Sequence, residues 1–246
     1  MELTARELLT HLFQTALDAV DGRHRVQTWC RDHNARFDHC IAIGKAAPAM
    51  LQGALDCQHN LKQALLICLP GQCSRSLRKD KRITIVESSH PVPDQASLDA
   101  GQALLRFLAS IPQGEKLLVL ISGGTSSLVE VPVAGLSLEQ LQQVNRHLLA
   151  SGKNIKQMNV WRKQFSKIKG GGLLDYVQAE YCTQLLISDV QNDDVAVIGS
   201  GLLVASKEQA LDDDVFLHEL LSSLQPKDSH CAEAIETHII ATQQQA

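Results

Sequence analysis

The sequence predicts an α/β fold, a doubly wound, mostly parallel sheet of the Rossmann-like type with helices on both faces. Three observations predict it. Six short aliphatic or β-branched runs recur, at His39–Ile43, Ala64–Leu69, Ile83–Glu87, Leu117–Ser122, Gln184–Ser188 and His238–Thr242. Each is continuous rather than alternating, as expected of strands covered on both sides. Helical periodicities separate them, and strand alternating with helix means parallel βαβ units. With 246 residues, 44% of them apolar, the chain is long enough to bury one core, and residues 1–246 read as a single domain.

The helical segments announce their own ends. Thr4 with Glu7 forms a capping box ahead of an apolar stripe of Leu8, Leu9, Leu12, Phe13, Ala16, Leu17 and Val20, and Gly22 is expected to close that helix. Leu98, Leu104, Leu105 and Leu108 mark a helix for which Asp94 is a candidate N-cap. Ser137 with Gln140 is a second box, followed by Leu138, Leu141, Val144 and Leu148 and ended by Ser151-Gly152. The glycines at 170–172 are expected to open a further helix with Leu173, Leu174 and Val177 on its buried side.

Composition excludes several functions. Basic and acidic residues number 23 and 27, a net charge of −4, which rules out nucleic-acid binding by bulk positive charge. No apolar run approaches the length of a membrane span, and the first residues lack the basic and apolar regions of a secretion signal, so a cytoplasmic protein is expected. The seven cysteines are odd in number and include no C-x-x-C pair, which argues against a disulfide framework or a zinc site. Cys40, Cys68 and Cys182 sit in or beside apolar runs and read as core residues. The histidines lack H-x-x-x-H spacing.

Four polar segments follow strands: Ile43–Met50 (IGKAAPAM), Glu87–Asp94 (ESSHPVPD), Ile121–Leu128 (ISGGTSSL) and Ile187–Asp194 (ISDVQNDD). Ligands of an open α/β sheet bind beyond the carboxyl ends of its strands, so these segments are expected on one rim. Ser122-Gly123-Gly124-Thr125-Ser126 is either a tight strand-to-helix turn or a loop whose N–H and hydroxyl groups hold an anion. Lys45 is a surface lysine or a cation that reaches into the rim. Asp189 suits Mg²⁺ or a hydroxyl proton, with Asp193 and Asp194 close behind, or else caps a turn. His90, held between Ser89 and Pro91 in stiff extended backbone, is a substrate ligand or a loop anchor. Arg162, Lys163, Lys167 and Lys169 crowd ahead of the three glycines, as a solvated face or a polyphosphate seat. The basic run Arg75–Arg82 reads as exposed surface.

In their order and approximate spacing, Gly44-Lys45-Ala46, His90-Pro91-Val92-Pro93-Asp94, Ser122-Gly123-Gly124 with Ser126, Arg162-Lys163 with Ser166 and Ile168-Lys169-Gly170-Gly171, and Ser188-Asp189-Val190 resemble the glycerate 2-kinases. In that family a MOFRL-associated first half precedes a MOFRL domain, and some members carry the name hydroxypyruvate reductase. The resemblance covers essentially the whole chain. It implies transfer of the ATP γ-phosphoryl to the 2-hydroxyl of glycerate or a related hydroxy acid, with ATP and Mg²⁺ required. Its conserved lysine after the first strand corresponds to Lys45, which phosphoryl-transfer chemistry puts in catalysis, on the substrate carboxylate or the transferring phosphoryl. Asp189 is then a metal ligand or catalytic base, Asp193 a second metal candidate and His90 a candidate substrate ligand. Ser122, Gly123, Gly124, Thr125, Ser126, Arg162, Lys163, Lys169 and Gly170 are implied to hold phosphate.

Three departures stand against the family pattern. Thr125 replaces a third glycine, Gln191-Asn192 replaces Pro-Gly, and Ser200-Gly201-Leu202-Leu203 replaces Ser-Gly-Pro-Thr. The resemblance also implies a second domain beyond this sequence, which supplies an essential basic residue across a cleft. Two readings follow: a kinase domain that is the first part of a split or truncated protein and needs a separately encoded second domain, and an inactive module that binds a nucleotide or sugar acid. A homodimer is a further candidate partnership. An NAD-dependent reductase is disfavoured, because the first strand leads into Gly44-Lys45-Ala46-Ala47 and not G-x-G-x-x-G. Neither nucleic acid nor membrane is expected as a partner.

Overall fold

The structure, a computed structural model, describes residues 4–205, 214–224 and 235–242. Six strands, β1 (His39–Ile43), β2 (Gln63–Cys68), β3 (Ile83–Glu87), β4 (Lys116–Ile121), β5 (Tyr181–Ser188) and β6 (Glu236–Thr242), form one sheet in the order β3-β2-β1-β4-β5-β6. All five ladders are parallel. This is the doubly wound order, and it reverses direction between β1 and β4. The expected strands are all present, with ends displaced by at most three residues.

The helices are α1 (Ala5–Val20), α2 (Gly22–Asp32), α3 (Ala47–Cys57), α4 (Arg75–Lys79), α5 (Gln95–Ala109), α6 (Thr125–Leu128), α7 (Leu138–Ala150), α8 (Ile155–Gln164) and α9 (Val215–Ser222). Strand side chains alternate between two cores, which is why the runs are continuously apolar. Cys40, Ala42, Leu66, Leu118 and Leu120 pack with Val26 and Trp29 of α2 and Met50, Leu51 and Ala54 of α3. Ile41, Ile43, Leu65, Ile67, Val119 and Ile121 pack on the opposite side with Leu104 and Leu108 of α5 and with Ile168, Leu173 and Leu202. A third cluster joins α7, α8 and α9 around Trp161 and Phe165.

Caps expected at Thr4, Asp94 and Ser137 form as the sequence indicates. Three expectations change. The α1 stripe faces solvent: Leu8, Leu9, Leu12, Phe13 and Leu17 are exposed, and no residue of α1 is buried. Asp21, not Gly22, ends α1, and because its carboxylate accepts the His24 N–H at 2.8 Å it starts α2 at once. The glycines at 170–172 lead into a single 3-10 turn, Gly172–Tyr176, because Gly170 and Gly171 both take positive φ.

The described cysteines are free, and Cys40 and Cys68 are buried, where desolvation raises both thiols, Cys68 to about 11. Cys182 is half-buried and is pushed up to about 12 by the same cause. Cys231 lies outside the described residues. Among the described residues no helix is long and apolar enough to cross a membrane.

α2 and α3 touch backbone to backbone at Gly53. A Cβ there would collide with the Arg23 carbonyl and lie 3.0 Å from its Cα. Gly53→Ala therefore forces the helices apart, and overpacking outweighs the gain in helix propensity. Urea denaturation should show a loss of about 1–3 kcal/mol; an unchanged or higher midpoint would contradict the close approach.

Candidate active site

The chain leaves β1 toward β2 on one side and β4 toward β5 on the other, which opens a crevice between their carboxyl ends. Two turns meet there. The Lys45 N–H donates to the Gly123 carbonyl at 2.9 Å, and the Ala46 N–H donates to Ser122 Oγ at 3.0 Å. The Thr125 hydroxyl lies within donating distance of the Ile43 and Ser122 carbonyls, at 2.9 and 2.8 Å. Gly44 makes this contact possible. Its φ is +126°, and a Cβ would strike the Ser122 side chain and lie 2.7 Å from the Ser122 carbonyl oxygen.

Three side chains from three strand ends surround the two loop glycines. A Cβ on Gly123 would collide with the Asp189 carboxylate, 2.7 Å from its Cγ. A Cβ on Gly124 would sit 3.2 Å from His90 Cδ2 and 3.3 Å from Lys45 Cγ and Cε. Lys45 and Asp189 are exposed, and neither side chain makes a hydrogen bond or ion pair with another described residue. Burial and the Lys45 charge hold the His90 imidazole below the usual histidine range, and Asp189 partly opposes them. His90 is therefore neutral near pH 7. The His90–Pro91 peptide is cis.

The remaining predicted residues divide between rim and interior. Ser122 and Thr125 are buried and bonded to backbone, so their hydroxyls brace the turn instead of facing an anion. Ser126 stays at the rim and shares a 2.6 Å hydrogen bond with Ser200, in the turn after Ile198. Asp194 caps its own turn through the Ala196 N–H at 3.0 Å. Asp193 accepts from the hydroxyls of Ser188 and Thr242, which hold its carboxyl below the usual range and tie the loop after β5 to the end of β6. Among the described residues no cluster of three or more His, Cys, Asp or Glu is arranged to hold a metal.

Lys169 is 2% exposed and ion-paired with Glu130. Glu130 also accepts from Ser166 Oγ and, at 3.0 Å, from the Val131 N–H. Lys163 is buried too, and its stem packs on Gly170, where a Cβ would lie 3.2–3.4 Å from Lys163 Cδ, Cγ and Cβ. Gly170 itself, at φ +63°, donates its N–H to the Ser200 carbonyl at 3.0 Å. These three residues lie behind the rim, where the Lys169 ammonium and the Gly170 N–H are already engaged within the protein. Sequence reasoning passed over Glu130, although a lone acid inside the apolar run Leu128–Val133 signals a buried partner.

Arg162 stays with the rim. It lines a cavity of about 320 Å³ together with His90, Gly124, Ser126 and Asn145. A second cavity, about 530 Å³, lies on the other side of Lys45 between Arg23, Gln52, Ser74 and Ser76. Asn145, Arg23 and Gln52 carry no motif that would single them out. A cavity of about 450 Å³ opens at the opposite ends of the strands, where Lys62 and Arg82 already pair with Glu115 and Asp80.

Two measurements test this arrangement without an assay. Lys45→Met should raise the His90 titration midpoint seen by NMR, because a nearby positive charge is lost, and Asp189→Asn should lower it. No movement in either variant would separate the three groups. Lys169→Met should cost about 3–5 kcal/mol in urea unfolding, since Glu130 would be left as a buried, uncompensated charge. Adding Glu130→Gln should recover much of that loss; a stable single variant would contradict the pair.

Comparison with known proteins places the fold in a family. Residues 8–229 match the family described as Domain of unknown function (DUF4147). The D-glycerate 2-kinase of Thermotoga maritima is 33% identical over 197 residues, 80% of this chain and 46% of that protein. The glycerate kinase of Homo sapiens is 33% identical over 215 residues, 82% of this chain and 41% of that protein. The crystal structure of the Thermotoga maritima glycerate kinase superposes with a TM-score of 0.82 at 26% identity, covering 97% of this chain and 59% of that one. The chain spans 34% to 48% of the length of the curated relatives it matches. It belongs to the DUF4147 family, the amino-terminal domain of the glycerate kinases.

Proposed function

We propose that this chain carries the switch-point part of a glycerate 2-kinase site, where the ATP γ-phosphoryl passes to the 2-hydroxyl of glycerate or a related hydroxy acid. The convergence of Lys45, His90 and Asp189 around Gly123 and Gly124 carries this reading. Phosphoryl transfer needs little covalent help; it needs donors and charges placed around the phosphates before the reaction begins. Lys45 supplies a compact cation with no competing partner among the described residues. The N–H groups of Gly123, Gly124 and Ser126 donate to no described group, which leaves them available to an anion. His90, neutral, offers a hydrogen bond to a substrate hydroxyl.

Asp189 fits Mg²⁺. Mg²⁺ is held by one or two carboxylates together with phosphates and water, and Asp189 is an exposed, unpaired carboxylate against Gly123. When bound, the ion would neutralise phosphate charge. Asp193 is already engaged by Thr242, so Asp189 is the ligand proposed. Use of ATP makes the cytoplasm the proposed location.

A coupled ATPase assay with D-glycerate and Mg²⁺ should show turnover by the chain alone or on addition of a polypeptide matching the rest of its relatives. Lys45→Ala should abolish that turnover with the circular dichroism spectrum unchanged, and an active variant would remove Lys45 from the mechanism. Should ATP bind without turnover under either condition, the chain is a binding module. ATP at 100 times its dissociation constant stabilises a fold by about 2.7 kcal/mol. If neither ATP nor glycerate raises the unfolding temperature, the site does not exist.

A further inference from the structure

We infer that Arg162 is the carboxylate receptor of this site and makes it prefer hydroxy acids to uncharged polyols. The inference rests on the proposed reading of the rim and names the group that orients the acceptor substrate. Arg162 lies in the last turn of α8, and its Nε is buried with no hydrogen-bond partner. Its Nη groups likewise donate to no described residue. Glu130 is the acid that acts on it electrostatically, but that carboxylate already serves Lys169, Ser166 and Val131. A guanidinium cannot escape by losing its proton, so a half-desolvated one without a partner calls for an external anion.

The cavity beside Arg162 indicates which anion. At about 320 Å³ it has room for a three-carbon acid and too little for a nucleoside triphosphate. Pro91, Val92 and Leu149 make part of its wall apolar, and His90 and Ser126 supply hydrogen-bonding groups of the kind a hydroxy acid needs. Of the neighbouring cations of the same segment, Lys163 is buried and Lys169 is already paired with Glu130. A planar two-oxygen carboxylate matches the fork of one arginine. Gly124 lines the same cavity and touches the Lys45 stem, while Lys45 also lines the larger cavity of about 530 Å³. A substrate anchored at Arg162 therefore extends its hydroxyl end toward the lysine between the two chambers.

The experiment measures binding by calorimetry on the chain itself, with D-glycerate, glycerol and ATP as separate ligands. Arg162→Gln should weaken glycerate roughly 10- to 100-fold, the range for hydrogen bonds to a charged group, and leave ATP within twofold. Arg162→Lys should fall between, since it keeps the charge and loses the fork. Glycerol should bind poorly to all three proteins. On the unsubstituted chain, lactate should displace glycerate and 1,2-propanediol should not, a result that does not depend on how any variant folds. Unchanged glycerate affinity in Arg162→Gln, or a parallel loss of ATP, overturns the inference. So does an unsubstituted chain that binds ATP but not glycerate, which leaves the nucleotide part of the proposed function standing. A chain that binds neither ligand removes both.

Discussion

The site depends on one contact, the closure of the turn after β1 onto the turn after β4. Gly44 lies against Ser122 with no room for a side chain, and two hydrogen bonds from the Lys45 and Ala46 N–H groups hold the turns together. The Thr125 hydroxyl braces the same junction from beneath. Because the strands are parallel and adjacent, this junction falls at the reversal of strand order, the place where an open sheet cannot cover its own carboxyl ends. Everything chemical follows from it. Lys45 is carried to Gly124, and the next strand over brings Asp189 to Gly123.

Charge is partitioned about this joint by depth. Beneath the rim, Lys169 and Glu130 neutralise each other and hold the segment after α8 against the loop that begins at Val129. At the rim, Lys45, Asp189 and Arg162 have no partner among the described residues. A buried pair contributes little net stability but is costly to break, so it acts as a fixed floor. Unpaired groups at a partly desolvated edge do the opposite: they favour whatever ligand supplies the missing charge. The R-K…K-G-G segment thus joins an unpaired rim arginine to a buried, paired lysine, and neighbouring residues of one motif meet unlike surroundings.

α1 is the place where local and global signals part. Its capping box and stripe specify an amphipathic helix, and the helix forms, but its apolar face is exposed. Periodicity reports which side of a helix is apolar; it does not report what covers it.

Strands, most helix starts and the gathering of four strand-end loops could be read from the chain alone. Continuous apolar runs, capping residues and glycines act within a few residues of themselves, so their effect is written in order along the sequence. The rim residues Lys45, His90, Gly123, Gly124, Ser126, Arg162 and Asp189 were legible for the same reason, since each follows a strand or sits in a marked segment. The inward turn of Lys169 and Lys163, the engagement of Ser122 and Thr125 with backbone, and the roles of Glu130 and Asn145 were settled only by tertiary structure. Lys169 and Glu130 stand 39 residues apart. Whether a lysine faces water or a buried acid depends on which distant segment the fold lays against it, and no local pattern encodes that.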